Sequence, residues 1–459
     1  MRKIKKWTCL LLSAFVMFQA ASLTVHAQDY WPEGPEVIGE SAIVVEASTG
    51  TVLYDKNSNQ QSYPASITKI MTTLLAVENS KMDEVVTFSY DSVHKTEGSG
   101  LSRDVGEEMT MEECLYGVML ESANEVSYAV AEHVGDGYDN FINMMNEKAA
   151  ELGCKNTHFN NPHGLPDENH YTTAYDMALI ARAAYNNEKF AYITGTKKYT
   201  IPPTNKHTDP TYLLNHHKML NTYKGDSRFL NDECTGGKTG YTEAARSTLV
   251  TFSEKNGMTL ICVVMREESP NHYVDTENLL DYCFENFQLL NVSNNETQFH
   301  KKSGDNTEVF GENEKFVDLD KLGYIVLPKT AAFEDATSNI THNNVSEKVV
   351  ATLEYSYADR IVGSTDIKVT DFNVEQFPFQ NMSMDTVVKE GTVKKVVNID
   401  LKYILFGIGG LILLIGLGFG IYYLFDNFYL IKYKFNSRRG KGFGESKGSF
   451  WNRKNRRKW

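Results

Sequence analysis

Two short runs rich in β-branched and aromatic residues, 42–45 and 51–54, flank Ser48-Thr49-Gly50 and predict a hairpin. Beyond them Ile67, Ile70, Met71, Leu74 and Leu75 fall at i, i+3, i+4, i+7 and i+8, the spacing of a helix with one apolar face. That helix starts near Ala65, with Pro64 where a first turn tolerates it. A mainly helical stretch follows over 111–187, and Gly153 is placed to end a helix over 138–152. Strand patterning returns in 247–252 and 258–265, on either side of the turn dipeptide Asn256-Gly257. A closing helix reads over 275–287. Strands at both ends with helices between them predict an α/β unit: an antiparallel sheet assembled from both ends, with a helical insert packed beside it. The composition turns polar across 291–307, which sets a boundary near 292. Residues 293–392 read as a small all-β domain, with 349–357 and 361–369 alternating around Ala358-Asp359-Arg360. This domain shows no catalytic constellation and reads as a spacer or pedestal.

The two ends predict an exported, anchored protein. Arg2, Lys3, Lys5 and Lys6, an apolar run from Trp7 and then Val25-His26-Ala27 have the layout of a signal peptide over 1–27, cleaved after Ala27. A second apolar run, 403–425, carries no charged residue and is long enough for a C-terminal transmembrane helix, which needs about 20 residues. The tail over 426–459 holds eleven basic and two acidic residues. The positive-inside rule places that tail in the cytoplasm and the rest outside, as a single-pass protein of the cell membrane. With the basic ends set aside, the exported part carries about double the net charge of −13. Such a surface excludes nucleic acid as a partner. No phosphate-binding glycine loop and no zinc-type Cys/His spacing appears, so no metal or cofactor is expected. Five cysteines remain after Cys9 leaves with the leader, and an odd number implies a free thiol or an intermolecular bridge. Cys262, within an apolar run, reads as a small buried residue.

Three short motifs change the picture: Ser66-Ile67-Thr68-Lys69, Ser122-Ala123-Asn124 and Lys238-Thr239-Gly240. Each alone is common; together and in this order they mark penicillin-recognising serine acyl-transferases. Ser66 and Lys69, three apart on a helix, share a face. A serine hydroxyl is a poor nucleophile until a base takes its proton. Lys69 becomes that base if burial and the nearby cation Lys238 lower its pKa. Ser122 passes a proton to the leaving amine, and Asn124 holds a substrate amide. Lys238 and Thr239 bind a carboxylate along an edge strand, where Gly240 permits close approach.

With these motifs the chain resembles the D-alanyl-D-alanine carboxypeptidases, low-molecular-mass penicillin-binding proteins of the serine peptidase type. The matching stretches are Pro64-Ala65-Ser66-Ile67-Thr68-Lys69, Met119-Leu120-Glu121-Ser122-Ala123-Asn124, Asn161-Pro162-His163-Gly164-Leu165 and Gly237-Lys238-Thr239-Gly240-Tyr241-Thr242. The resemblance implies a β-lactamase/transpeptidase-like antiparallel sheet with a helical insert over 28–292. It implies an oxyanion hole from the backbone N–H groups of Ser66 and Tyr241. Peptidoglycan stem peptides ending in D-Ala-D-Ala are the implied substrate, and β-lactams the covalent inhibitors. One departure stands out: family members usually carry glycine where this chain has Arg246, and often an arginine where it has His272. Arg246 is therefore expected either to substitute in binding the terminal carboxylate or to face outward as a surface arginine. The same motifs leave open a β-lactamase or transpeptidase, or a non-catalytic protein that senses β-lactams or the wall. Against a class A β-lactamase, the region after Asn124 carries His163-Gly164-Leu165 and Thr173-Ala174-Tyr175-Asp176-Met177.

Overall fold

A computed structural model of the chain describes residues 30–296, 317–342, 346 and 348–369. The leader, the apolar run over 403–425 and the basic tail lie outside the described residues. Among the described residues no helix is long and apolar enough to cross a membrane.

The first hairpin pairs β1 (Ser41–Glu46) with β2 (Val52–Lys56). Two ribbons belong to the insert: β3 (Val85–Thr87) with β4 (Glu108–Thr110), and β5 (Lys198–Ile201) with β6 (Thr211–Leu214). The chain returns through β7 (Cys234–Thr242), β8 (Arg246–Lys255) and β9 (Met258–Glu267). These complete a five-stranded antiparallel sheet in the order β2-β1-β9-β8-β7. First and last segments of the unit thus meet at β1 and β9, as the pattern predicts, and β7 forms an edge. Asn256 and Gly257 take φ of 54° and 78° in the β8–β9 turn, which the Asn-Gly pair accepts at little cost.

Helices cover both faces of the sheet. The insert contributes α1 (Lys69–Asn79), α2 (Tyr90–His94), α3 (Met111–Leu120), α4 (Asn124–Val134), α5 (Tyr138–Glu151), α6 (Ala174–Tyr185) and α7 (Glu188–Gly195). On this side Ile43, Val45, Val250, Phe252 and Val263 share one core with Ile67, Ile70 and Leu74. Each such fully buried aliphatic side chain contributes about 1.5–3 kcal/mol. On the opposite face α8 (Asn271–Asn286) packs Leu279, Leu280 and Cys283 against Ala42, Val44, Leu260 and Cys262. Helix α5 ends as predicted: Gly153 has φ 84°, its N–H reaches Ala150 O at 3.0 Å, and Cys154 N reaches Ala149 O at 2.9 Å.

The chain passes from α8 directly into β10 (Phe287–Asn291). Beyond it come β11 (Val317–Leu319), β12 (Tyr324–Pro328), β13 (Thr337–Thr341), β14 (Val349–Tyr357) and β15 (Arg360–Val369). They form a second antiparallel sheet in the order β10-β12-β15-β14-β13, with β11 also paired to β15. This sheet begins a few residues ahead of the polar stretch that marks the boundary in the sequence. No turn residue separates helix from strand at Asn286–Phe287, so the change of period carries no local signal there.

All five cysteines in the described residues, Cys114, Cys154, Cys234, Cys262 and Cys283, are free thiols. Burial pushes Cys154, Cys234 and Cys262 up to about 12, so they act as packing groups rather than nucleophiles.

Candidate active site

The nucleophile turn is not a regular α-helix. Residues Ala65–Thr68 form a 3-10 turn, and α1 begins only at Lys69. In a 3-10 turn side chains at i and i+3 eclipse, which brings Ser66 and Lys69 closer than an α-helical turn does. Lys69 Nζ lies 3.1 Å from Ser66 Oγ. The turn is also strained, because Ala65 has φ 50°, a region that costs a non-glycine residue about 1–2 kcal/mol. Three neighbours hold it there. Thr248 Oγ1 donates to Pro64 O at 2.9 Å, and Thr72 Oγ1 donates to Pro162 O at 2.6 Å. Gly164, at φ 91°, presses on the turn so closely that a Cβ there would sit 1.9 Å from Ala65 O.

Lys69 is fully buried, and its Nζ reaches Asn124 Oδ1 at 2.7 Å and His163 O at 2.6 Å. Desolvation first, then the Lys238 charge, hold this amine well below the usual lysine range, against an opposing pull from Glu125. A neutral amine has two N–H groups and one lone pair. The two shorter contacts are to oxygens that only accept, so they take both N–H groups. The lone pair then faces Ser66 Oγ, where a general base belongs.

Asn124 opens α4 after Ala123, and its amide is engaged at both ends: Oδ1 accepts from Lys69 while Nδ2 donates to Glu97 O at 2.6 Å. The substrate amide expected at Asn124 therefore meets a side chain already fixed by protein partners. Ser122 sits in the break between α3 and α4 with φ 60°. Its Oγ is buried and has no hydrogen-bond partner among the described residues. A strained backbone that holds a buried, unpaired hydroxyl fits a role with a ligand rather than with the fold.

Strand β7 closes the other side. A Cβ on Gly240 would sit 2.9 Å from Ser66 N and 2.3 Å from Thr248 Oγ1, so only glycine lets the strand lie against the nucleophile turn. Lys238, almost fully buried, donates to Thr239 O at 3.0 Å. Burial lowers its pKa to about 7, and the Glu121 carboxylate opposes that. Thr239 is half-buried on the edge, and Tyr241 beyond it is exposed.

Arg246 does not stand beside Lys238. It starts β8 opposite Thr242, four residues from the position of Lys238, which is about 13 Å along the strand. Its guanidinium is half exposed and faces Glu268 at 3.5 Å, as an outward-facing surface arginine does. His272 supplies no cation. It is buried in the first turn of α8, and desolvation and then Lys218 lower it to about 4.

Several positioning residues were not singled out in the sequence. Glu121 takes hydrogen bonds from Leu214 N at 2.8 Å and contacts His216 Nε2 at 2.8 Å. Burial pushes this carboxyl up, but those hydrogen bonds outweigh it and leave it below the usual carboxylate range. The buried Glu125 carboxylate accepts from Leu101 N and so anchors the loop that carries Glu97. His170 Nδ1 accepts from Asn160 N at 3.0 Å, so its other nitrogen carries the proton donated to Thr68 Oγ1 at 2.9 Å. Asn161 Oδ1 accepts from Gly164 N at 2.6 Å and fixes the loop that supplies the His163 carbonyl. Glu121 and Glu125 flank the Ser122 motif, but a lone carboxylate next to a motif carries no distinguishing signal.

The sequence model of peptidase family S11, D-alanyl-D-alanine carboxypeptidase, matches residues 28–269. The chain belongs to this family. It is 37% identical over 257 residues to the D-alanyl-D-alanine carboxypeptidase DacF of Bacillus subtilis, across 54% of this chain and 63% of that protein. The chain thus spans a little under two thirds of DacF. It is 26% identical to DacA of Haemophilus influenzae, across 78% of this chain and 91% of that one. Among solved structures, penicillin-binding protein 5 of Haemophilus influenzae shares the fold, with a TM-score of 0.58 and 24% identity over 74% of this chain and 98% of that one. The Streptomyces K15 DD-transpeptidase aligns with a TM-score of 0.51 and 29% identity over 55% of this chain and all of its own (100%). The antiparallel sheet with its helices is thus the penicillin-binding-protein fold.

Proposed function

We propose that the chain removes the terminal D-alanine from peptidoglycan stem peptides through an acyl-enzyme on Ser66. The observation that carries this reading is the Lys69 amine, buried, short of its usual basicity and facing Ser66 Oγ at 3.1 Å. In the first step Ser66 Oγ attacks the carbonyl carbon of the penultimate D-alanine and its proton passes to Lys69 Nζ. The oxyanion forms between Ser66 N and Tyr241 N, in the family's manner. Lys238 and Thr239 hold the terminal carboxylate. When the C–N bond breaks, the departing amine takes the proton held by Lys69 through the Ser122 hydroxyl, which leaves Lys69 neutral again. Water then attacks the ester, Lys69 takes its proton and returns it to Ser66 Oγ, and the shortened peptide leaves. A β-lactam enters the same sequence and stops at the ester when hydrolysis is slow. The signal-like start and the apolar run over 403–425 support placing this reaction on the outer face of a cell membrane, with the basic tail inside.

The test is D-alanine release from a peptide ending in D-Ala-D-Ala, run beside acylation by a labelled penicillin. Release together with a long-lived penicilloyl-serine supports a carboxypeptidase. Fast penicillin turnover without release points to a β-lactamase, and neither reaction to a silent binding protein. A transpeptidase, as the Streptomyces K15 neighbour is named, would show as transfer of the peptide to an added amine in place of water.

A further inference from the structure

Glu267 ends β9 with 3% of its surface exposed, and neither Oε1 nor Oε2 receives a hydrogen bond from the described residues. A carboxylate in that state is rare, because a buried charge needs a partner. The group beside it is a second buried carboxyl, Asp275 of α8. Asp275 Oδ2 accepts from Ile38 N at 2.7 Å and from Gly39 N at 2.8 Å, and so ties down the strap that leads into β1. The two carboxyls close over Gly39: a Cβ there would stand 3.3 Å from Glu267 Oε2 and 3.7 Å from Asp275 Oδ2. The hydrogen-bond pattern tells the two apart. Two N–H donors stabilise an anion at Asp275, whereas Glu267, with none, fits a carboxylic acid that donates to Asp275.

The pair also has a defined place in the sheet. Ser247 is the strand partner of Glu267 on one side and of Tyr241 on the other. Glu267 and Tyr241 are therefore the two ends of one row across β9, β8 and β7, about 10 Å apart at the usual strand spacing. From β2, Lys56 faces Glu267 and donates to Val37 O at 2.5 Å. Tyr54 of β2, Cys262 of β9 and His272 of α8 face Asp275.

We infer that Glu267 and Asp275 share one proton, and that this proton latches the strap leading into β1 and helix α8 onto the row of the sheet that ends at Tyr241. While Glu267 holds the proton, the acid donates to Asp275 and the dry contact is satisfied. When the proton leaves to water, two carboxylates face each other without solvent, and the strap must loosen to admit it. Burial first, then the Asp275 carboxylate, push Glu267 up to about 8, and the Lys56 ammonium opposes that. An acid that holds its proton more tightly in the fold than in the open chain makes stability fall as pH rises. Here the fall runs from about 4.5 to about 8 and levels above that. The groups facing Asp275 keep one charge state over most of this window: burial lowers His272 to about 4 and raises Tyr54 and Cys262 to about 12.

The test follows thermal unfolding of the full-length protein in detergent from pH 5.5 to pH 9.5, for wild type, Glu267→Gln and Asp275→Asn. In either variant an amide N–H stands in for the shared proton, so the contact survives without titrating. The melting temperature of Glu267→Gln is expected to match wild type within about 2 °C at pH 5.5 and to exceed it by about 5 °C or more at pH 9. Asp275→Asn keeps an oxygen for Ile38 N and Gly39 N and should flatten the profile in the same way, which keeps the test open if the glutamine variant misfolds. The proton itself is read in wild type alone: the infrared difference spectrum, pH 6.5 minus pH 9.5, should show a carboxylic-acid C=O band, and Glu267→Gln should lose it. A melting-temperature difference between variant and wild type that stays constant across pH overturns the inference. So does a wild-type spectrum without the acid band.

Discussion

The sheet that carries β7 and the sheet that begins at β10 differ in what they bury. The first encloses Lys69, Lys238, Glu125 and His163, and holds Ala65 and Ser122 at φ of 50° and 60°. The second is cored by Ile325, Leu327, Leu353, Tyr355 and Val362. Its non-glycine residues with positive φ among the described residues, Ala358 and Asp359, form the two-residue loop between Tyr357 and Arg360, where a hairpin requires that conformation. Strain in the second sheet is therefore explained by connectivity. Strain and buried charge in the first are not: an apolar core of the same volume would be more stable than two desolvated lysines. The excess marks where the chemistry is, and it is paid in stability.

The sharpest way to break this contrast is Ser66→Ala. D-alanine release and covalent penicillin labelling should both vanish, with the melting temperature nearly unchanged, because a hydroxyl with one long contact is removed. An acyl adduct that persists in this variant by mass spectrometry would refute the assignment of the nucleophile.

Gly164→Ala comes next. The added methyl collides with Ala65 O, and alanine resists φ 91°. The turn must shift by a fraction of an ångström or more, and kcat/KM should fall by about a hundredfold. Retained activity would show that the turn is softer than its packing indicates.

A smaller effect is expected on the pH profile. The pair of lysines titrates together. Acylation needs Lys69 neutral, so kcat/KM falls toward acid as that amine takes up a proton. Carboxylate binding needs Lys238 charged, so kcat/KM also falls as pH rises through about 7. Glu121 supports that charge. Glu121→Gln should move the alkaline limb to lower pH, with a loss of about threefold or more near pH 8 and less near pH 6. An unmoved alkaline limb would mean that Glu121 only anchors Leu214 and His216.

Last, Leu353→Ala in the second sheet removes a buried side chain and should cost about 2–5 kcal/mol of stability in that region. Below its melting temperature the variant should keep kcat/KM within about twofold. A large kinetic loss would show that the second sheet does more than support the first.

Much of this was legible in the chain. The two β-rich runs on either side of Asn256-Gly257 are enough to predict β8 and β9, and the 3.6-residue spacing of Ile67, Ile70 and Leu74 predicts the buried face of α1. The three motifs named Ser66, Lys69, Ser122 and Lys238 because acyl transfer needs those groups whatever the fold. The second sheet was visible as alternation, but its first strand was hidden because β10 follows α8 without a turn. The placement of Arg246 was not legible for a related reason. Proximity in sequence to Lys238 says nothing of reach once four residues of extended strand intervene.

The sequence by itself determined which side chains are present to do chemistry, the periods of the elements that carry them and the order in which the sheet is assembled. Only the tertiary structure decided their state. The Lys69 amine is held below its usual basicity because the core strips its water beside Lys238, while its Nζ reaches Asn124 Oδ1 and the His163 carbonyl, 55 and 94 residues away. Lys238 is poised near neutrality because the same core desolvates it beside Glu121. Desolvation and hydrogen-bond geometry depend on every neighbour in space, and a linear pattern of residues does not record them.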